Sequence, residues 1–367
     1  MPIASVTAYP LAVPQPKGSG RQGSVSTLVV EVATRDGRSG FGEALSPTTA
    51  RAAAAVVEDV FAPRLVGENE ANIATLAAKM RTAFPTPVGG VIAEAISAID
   101  IALWDLAGQA AGLPIRDLLA GHGRNALPAY ASFIAWVDDA GAEAQAEAAV
   151  ALGFRALKVK LQGPVTAAIA RSRRVRETVG DGIGLCADPN AAFTYRDALR
   201  LAEALADLDY LWLEEPVDPT DYAALARLRA KDLLPIAAGE NEFTAKGAAG
   251  LLAAGAVDLL QPDIGRTCGI SGFRDAIGAA ALHAIPFAPH HSGGAIKAAA
   301  SLHLAAALPG FEIMECSLHR TALHDRLTRE PVSHPDLLDA QGRLPVPTGP
   351  GLGIEVDRST LAELSIR

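Results

Sequence analysis

RALKVK at residues 155–160, GIGLCAD at 182–188, YLWLEE at 210–215 and LPIAAGE at 234–240 follow one another at a steady interval. VDLLQPD at 257–263, IPFAPH at 285–290 and FEIME at 311–315 continue the series, and LPAYAS at 127–132 precedes it. These eight short apolar runs show little in/out alternation, the mark of strands buried on both faces of a parallel sheet. Helical patterns follow the first seven, at 139–152, 165–178, 195–207, 219–230, 244–254, 271–284 and 294–308. Strand–helix units repeated over about 195 residues give an α/β fold, a (β/α)8-type barrel near its lower size limit.

Outside residues 126–320 the texture differs. STLVVEVAT (Ser26–Thr34) is β-branched, and Asp36-Gly37 is a hairpin signal ahead of SGFGEAL. Residues 51–125 read as helices, most clearly Val91–Ala111, where Ile92, Ala95, Ile96, Ile99, Leu103 and Leu106 share a face. Gly112 and Pro114 punctuate its end. Residues 1–125 are therefore expected to form an α+β capping domain. The Pro/Gly-rich tail, 321–367, has no place in the repeat and is expected to return to that domain.

Composition bounds the function. The chain has 367 residues, half of them apolar, which excludes global disorder. Aromatics make up only 5%, so the core must be built mostly from Ala, Leu, Val and Ile. A net charge of −9 argues against nucleic acid or an anionic membrane as partner. Cys186, Cys268 and Cys316 show no metal-binding spacing, and an odd count fits free thiols in a reducing compartment. The start, MPIASVTAYPLAVPQP, lacks the basic and apolar regions of a signal peptide, and no run is long enough to span a membrane. A cytoplasmic setting and a small-molecule substrate are the expectation.

In such barrels chemistry gathers at the C-terminal ends of the strands. The polar residues there are Lys158 and Lys160, Asp188 with Asn190 beyond it, Glu214, Glu240, Asp263, His290 and Glu315. Each lies one strand–helix unit from the next, so all should converge on one mouth. Asp188, Glu214 and Glu240 sit on adjacent strands, and three carboxylates that close repel unless a cation neutralises them. All-oxygen ligation favours a hard ion, Mg²⁺ first. Lys158 and Lys160 are two apart and project to one side of a strand. Neighbouring ammoniums and a metal are expected to depress their pKa, which suits a basic lysine. Asp263 can hold one nitrogen of His290 and fix its tautomer, although His291 is an equal candidate to face the pocket. Glu315, if protonated, can donate to a substrate oxygen. A lysine on the second strand and a histidine on the seventh offer two bases for a carbon α to a carboxylate, leading to an enediolate that Mg²⁺ and Glu315 would stabilise.

KVK, ADPN, WLEEP, GEN, QPDIGR, PHH and the ME of FEIME resemble the strand-end motifs of the enolase superfamily, mandelate racemase subgroup. SAIDIALWDLAG (Ser97–Gly108) and GPGLGIE (Gly349–Glu355) resemble that family's capping helix and C-terminal segment. The resemblance covers nearly the whole chain. It implies a capping domain over the barrel, Mg²⁺ on Asp188, Glu214 and Glu240, and Lys160 and the Asp263–His290 pair as general bases. Asp263 stands where the muconate-lactonizing subgroup typically has lysine, and Arg266 where relatives carry Lys or Arg. Asn190, Arg266 and His291 are expected to touch substrate.

Subgroup membership leaves the reaction open. Dehydration of an acid sugar is the leading reading, which the Thr328–Pro331 segment favours, with racemisation of a 2-hydroxy acid or lactone cycloisomerisation as alternatives. Barrels of this kind often assemble, so a homo-oligomer is expected. A barrel glycosidase using Glu214 and Glu240 would leave the lysines, Asp188 and the Asp–His pair unexplained. A non-catalytic sugar-acid binding protein would usually be exported. Gly18–Gly23 fits GxGxxG but precedes a strand, so it reads as a flexible loop rather than a dinucleotide fingerprint, and the resemblance implies that this loop closes over substrate. His122, His303 and His334 show no ligand spacing and read as structural.

Overall fold

The structure, a computed structural model, describes residues 1–15, 23–134 and 141–366. Apart from Gly23, the GxGxxG stretch lies outside them, as do residues 139–140 of the first repeat helix.

The N-terminal part opens with an antiparallel sheet of β1 (Ile3–Pro14), β2 (Ser24–Thr34) and β3 (Ser39–Ala44) in that order. Gly37 turns the second hairpin at a φ of 88°, which a residue with a Cβ adopts only under strain. Helical segments fill Ala50–Leu65, with a π-turn at Val56–Phe61 that the apolar spacing did not announce, and Ile73–Arg81. The long helix Gly90–Ala111 lies across β3 and ends on left-handed Gly112. Sheet and helix touch at backbone distance. A Cβ on Gly40 would stand 2.2 Å from Ala102 O, and one on Gly42 2.0 Å from Ala98 O. Only glycine fits at either position.

The barrel is a parallel ring. β4 (Ala126–Ile134), β5 (Ala156–Lys160), β6 (Gly184–Asp188), β7 (Tyr210–Glu214), β8 (Ile236–Ala238) and β9 (Leu259–Leu260) pair in chain order, and β10 (Met314–Ser317) pairs with β4. The seventh strand shrinks to single bridges from Phe287 to Leu260 and Phe311, which close the ring. Pro286 and Pro289 flank Phe287 and offer no N–H to a ladder, hence the interruption. Helices follow each of the first seven strands: Ala142–Ala151, Val165–Val179, Tyr195–Asp207, Tyr222–Arg229, Thr244–Ala253, Gly269–Leu282 and Ala295–Ala307.

Along the ring, side chains alternate between the helix layer and the barrel interior. Tyr130, Ala156, Cys186, Trp212, Ala237, Leu259 and Ala288 fill the interior floor, with Tyr130 and Trp212 edge to face at 5.6 Å. Two residues further toward the strand ends stand Lys158, Asp188, Glu214, Gln261 and His290.

The tail runs over both parts. β11 (Arg343–Pro345) adds antiparallel to β4, Arg358 pairs with Glu31 of β2, and Ile366 N donates to Pro10 O. Among the described residues no helix is long and apolar enough to cross a membrane.

Candidate active site

Pairing of β5 with β6 sets Lys158 beside Cys186 and Lys160 beside Asp188. Both lysines point inward, as the two-residue strand period requires, and both are buried. Lys158 Nζ donates to Glu214 Oε1 at 2.8 Å and lies 3.1 Å from Glu315 Oε1 and 3.7 Å from Asp188 Oδ2. Lys160 pairs with Asp188, donates to Asn190 Oδ1 at 3.0 Å and lies over the Phe133 ring. The expected depression of the lysine pKa fails at Lys158. Burial alone would lower it, but Glu214 and Glu315 outweigh burial and hold it well above the ordinary value.

Asp188, Glu214 and Glu240, at the ends of β6, β7 and β8, each bring an oxygen within 4.8 Å of the others. Burial pushes Glu214 up to about 7, with Lys158 opposing and Asp188, Glu240 and Glu315 reinforcing the rise. Burial also raises neighbouring Glu215, to about 8, and Glu240 adds to it. At Asp188 burial is overridden by Lys160 and Lys158, which hold it below the carboxylate range. Gln261 Nε2 and Trp212 Nε1 both donate to Glu214 Oε2, at 2.8 and 3.3 Å, and fix that carboxylate. Among the described residues Glu240 Oε2 is buried and accepts no hydrogen bond; His290 Nε2 stands 3.1 Å away. Three convergent carboxylates, one with an unused oxygen, make a donor set that fits a hard divalent cation.

His290 closes the other end of this row. Its Nδ1 lies 2.7 Å from Asp263 Oδ2. Burial would raise Asp263, but Lys297 and the His290 hydrogen bond hold it well below its ordinary value. An ionised carboxylate only accepts, so Nδ1 carries the proton and Nε2 faces the site. The choice between the two histidines is thereby resolved in the geometry. His291 turns its ring edge-on to His324; both its ring nitrogens are buried without a partner among the described residues, and its backbone N donates to Glu315 Oε2 at 2.9 Å. Its side chain is not brought to the carboxylates.

Glu315 departs from the protonated donor expected of it. Burial favours the neutral acid, yet Lys158, His290 and the His291 amide keep it well below its usual pKa, so here it is an acceptor. Asn190 sits at a φ of 49° with its amide on Asp188 Oδ1 and its side chain on Lys160. Arg266 reaches Glu240 O and Asn241 Oδ1 at 3.1 and 2.7 Å and braces the loop after β8.

Sequence reasoning missed Gln261, Lys297 and Glu43. Gln261 was visible within QPD but carried no charge to mark it. Lys297 is wholly buried on Ala295–Ala307 and donates to Asp263 Oδ2 at 2.7 Å; a lone lysine in AIKAAASLHLAAA was its signal. Glu43 reaches in from β3, and a short hairpin strand gave no hint of that.

Residues 6–120 match the N-terminal domain of mandelate racemase/muconate lactonizing enzyme, and residues 141–360 match the enolase C-terminal domain-like family. The chain belongs to the enolase superfamily. Among curated members of that superfamily it is 34% identical to D-galactarolactone cycloisomerase of Agrobacterium fabrum, over 92% of this chain and 90% of the relative. It is 32% identical to arabinonate dehydratase of Saccharolobus solfataricus, over 90% and 88%. Among solved members, a racemase from Streptomyces coelicolor with bound magnesium superposes with a TM-score of 0.89 at 28% identity, covering 99% of this chain and 100% of the other.

Proposed function

We propose that this protein removes the α-proton of an acid-sugar carboxylate and eliminates the β-hydroxyl as water, with Asp188, Glu214 and Glu240 holding Mg²⁺. The observation that carries the reading is the placement of two candidate bases at the two ends of one carboxylate row, Lys160 on Asp188 and His290 on Glu240. The named dehydratase relative and the magnesium-bound racemase structure support it. Bound there, Mg²⁺ would supply Lewis-acid charge stabilisation for the carboxylate oxygens as the α-carbon loses its proton.

Lys160 Nζ or His290 Nε2 takes the α-proton, and the C–H electron pair moves into the carboxylate to give the enediolate. That pair returns to form the α–β double bond as the β C–O bond breaks. The other base, in its protonated form, gives its proton to the departing hydroxyl, and the product enol tautomerises to a 2-keto acid. Lys158, between Glu214 and Glu315, adds fixed positive charge beside the developing oxyanion. Asn190 and Arg266 shape the mouth. Lactone cycloisomerisation is the second reading, favoured by the cycloisomerase relative; it uses the same proton removal without loss of water.

The reading divides the chain into a cap (1–125), a barrel (126–320) and a returning tail (321–367), with a homo-oligomer as its assembly. It includes a cytoplasmic setting, which the three buried free thiols support. The test is a panel of aldonic, aldaric and 2-hydroxy acids in D₂O with and without Mg²⁺, followed by NMR. At least one acid should show metal-dependent α-exchange or product. Full activity after EDTA would reject the metal assignment, and no exchange or turnover with any acid would reject the chemistry.

A further inference from the structure

Four charged side chains run inward from the capping sheet to the site, and only the last two were expected. Glu43 of β3 is fully buried. It accepts Gly294 N at 2.6 Å, Lys297 N at 3.0 Å and Thr27 Oγ1 at 3.0 Å. Its carboxylate thus holds the start of Ala295–Ala307, the helix that follows His290. One turn in, Lys297 Nζ donates to Asp263 Oδ2 at 2.7 Å, the same oxygen that receives His290 Nδ1 at 2.7 Å. Asp263 Oδ1 accepts Gly265 N at 2.7 Å.

We propose that Lys297 is a positioning residue for the His290 base, held in place by Glu43, so that the capping sheet sets the geometry of one of the two catalytic faces. The inference rests on the two-base reading above. With three donors on its two oxygens, the Asp263 carboxylate cannot rotate, so the imidazole it holds keeps one orientation and presents Nε2 to the substrate. Without the ammonium, Oδ2 has a single donor and the ring gains freedom to swing. An ammonium this deep is costly, and an apolar side chain of similar length would fill the same volume without that cost. Lys160, on β5, is held instead by Asp188 and Asn190.

The test separates the faces. Lys160→Ala leaves only the His290 face, and His290→Asn leaves only the Lys160 face. α-Exchange in D₂O is measured in both backgrounds with the acid the wild type exchanges best and its α-epimer. Lys297→Met should lower exchange in the Lys160→Ala background by about 10–100-fold, the usual range for a group that orients a reacting one. The loss should be at least about tenfold smaller in the His290→Asn background. Glu43→Gln should show the same bias with a smaller loss, and Lys297→Arg, which keeps the cation, should recover part of the lost exchange. Thermal unfolding monitors the fold, and if Lys297→Met does not fold, Glu43→Gln and Lys297→Arg carry the comparison. Equal losses in both backgrounds, with an active wild type, would overturn this inference alone. A wild type that exchanges no acid would overturn the functional reading and this inference with it.

Discussion

Two groups of buried carboxylates, one at the barrel mouth and one on the long helix of the cap, contrast in a way that separates chemistry from architecture. At the barrel mouth, Asp188, Glu214 and Glu240 face one another and are balanced by lysines. At the seam between cap, barrel and tail, Asp100 and Asp105 on the long helix are equally buried, but each is met by backbone amides. Asp100 accepts Ser271 N and Oγ at 2.9 and 2.7 Å. Asp105 accepts Phe41 N at 3.0 Å and Leu352 N at 2.8 Å, and so ties β3 to the tail. A carboxylate satisfied by amides needs nothing further. Carboxylates turned toward each other call for a cation and leave room for a substrate. Burial alone does not distinguish the two cases, but convergence does.

The sharpest way to break the contrast is to exchange its consequences. Lys160→Ala should lower metal-dependent turnover by about 10²–10⁴-fold, the range for loss of a general base, and His290→Asn should do the same. Steady-state kinetics with an active acid reads the loss, and thermal unfolding should show either variant folded. A loss of less than tenfold in both would remove the mouth from the chemistry.

Asp105→Ala should do the reverse. It strands two buried N–H groups, each costing about 1–3 kcal/mol, so a total of about 2–6 kcal/mol of stability is expected. Activity per folded molecule should persist. Urea unfolding measures the cost, and a variant as stable as the wild type would show that water replaces the carboxylate at the seam.

How legible each region was follows the same division. The barrel was readable because from the second strand on each strand ends in a charged residue, and spacing alone gathers them. The α+β cap was readable from its hairpin and helix stop. The states of the groups were not, since Lys158 is raised and Glu315 lowered by neighbours on strands far away in sequence. His290 could be told from His291 only once Asp263 was placed beside one ring. Lys297 and Glu43 stayed hidden because they meet across about 250 residues of chain, a contact no local pattern encodes. The shrunken seventh strand was foreseeable from Pro286 and Pro289, but its apolar run read as an ordinary strand.

The seam also carries a pH signature. Burial pushes Asp100 and Asp105 up to about 6 in the folded protein, from an ordinary value of 3.8. A raised folded pKa means the native state holds the proton more tightly than the unfolded chain. The stability from this source is complete below about pH 4 and is lost as pH rises through about 6. For one residue the change is on the order of 3 kcal/mol. Asp105→Asn should flatten the stability profile between pH 4 and 7 relative to wild type, read by urea unfolding at several pH values. Parallel profiles would place the titration elsewhere.

The smallest effect belongs to charges in neither place. Arg326 and Glu363 form a two-pronged pair at the surface, with side chains 48% and 56% exposed. Water screens the attraction and ordering two long side chains offsets it, so such a pair adds little to stability. Glu363→Gln should therefore leave the urea midpoint almost unchanged, and added salt should erase whatever shift remains because it screens exposed charges. A loss as large as that of Asp105→Ala would mean that the pair is shielded in the working protein, as it would be if the tail helix Arg358–Leu364 were covered by a second copy of the chain. Sedimentation of wild type and Glu363→Gln side by side would separate that outcome from a purely local one.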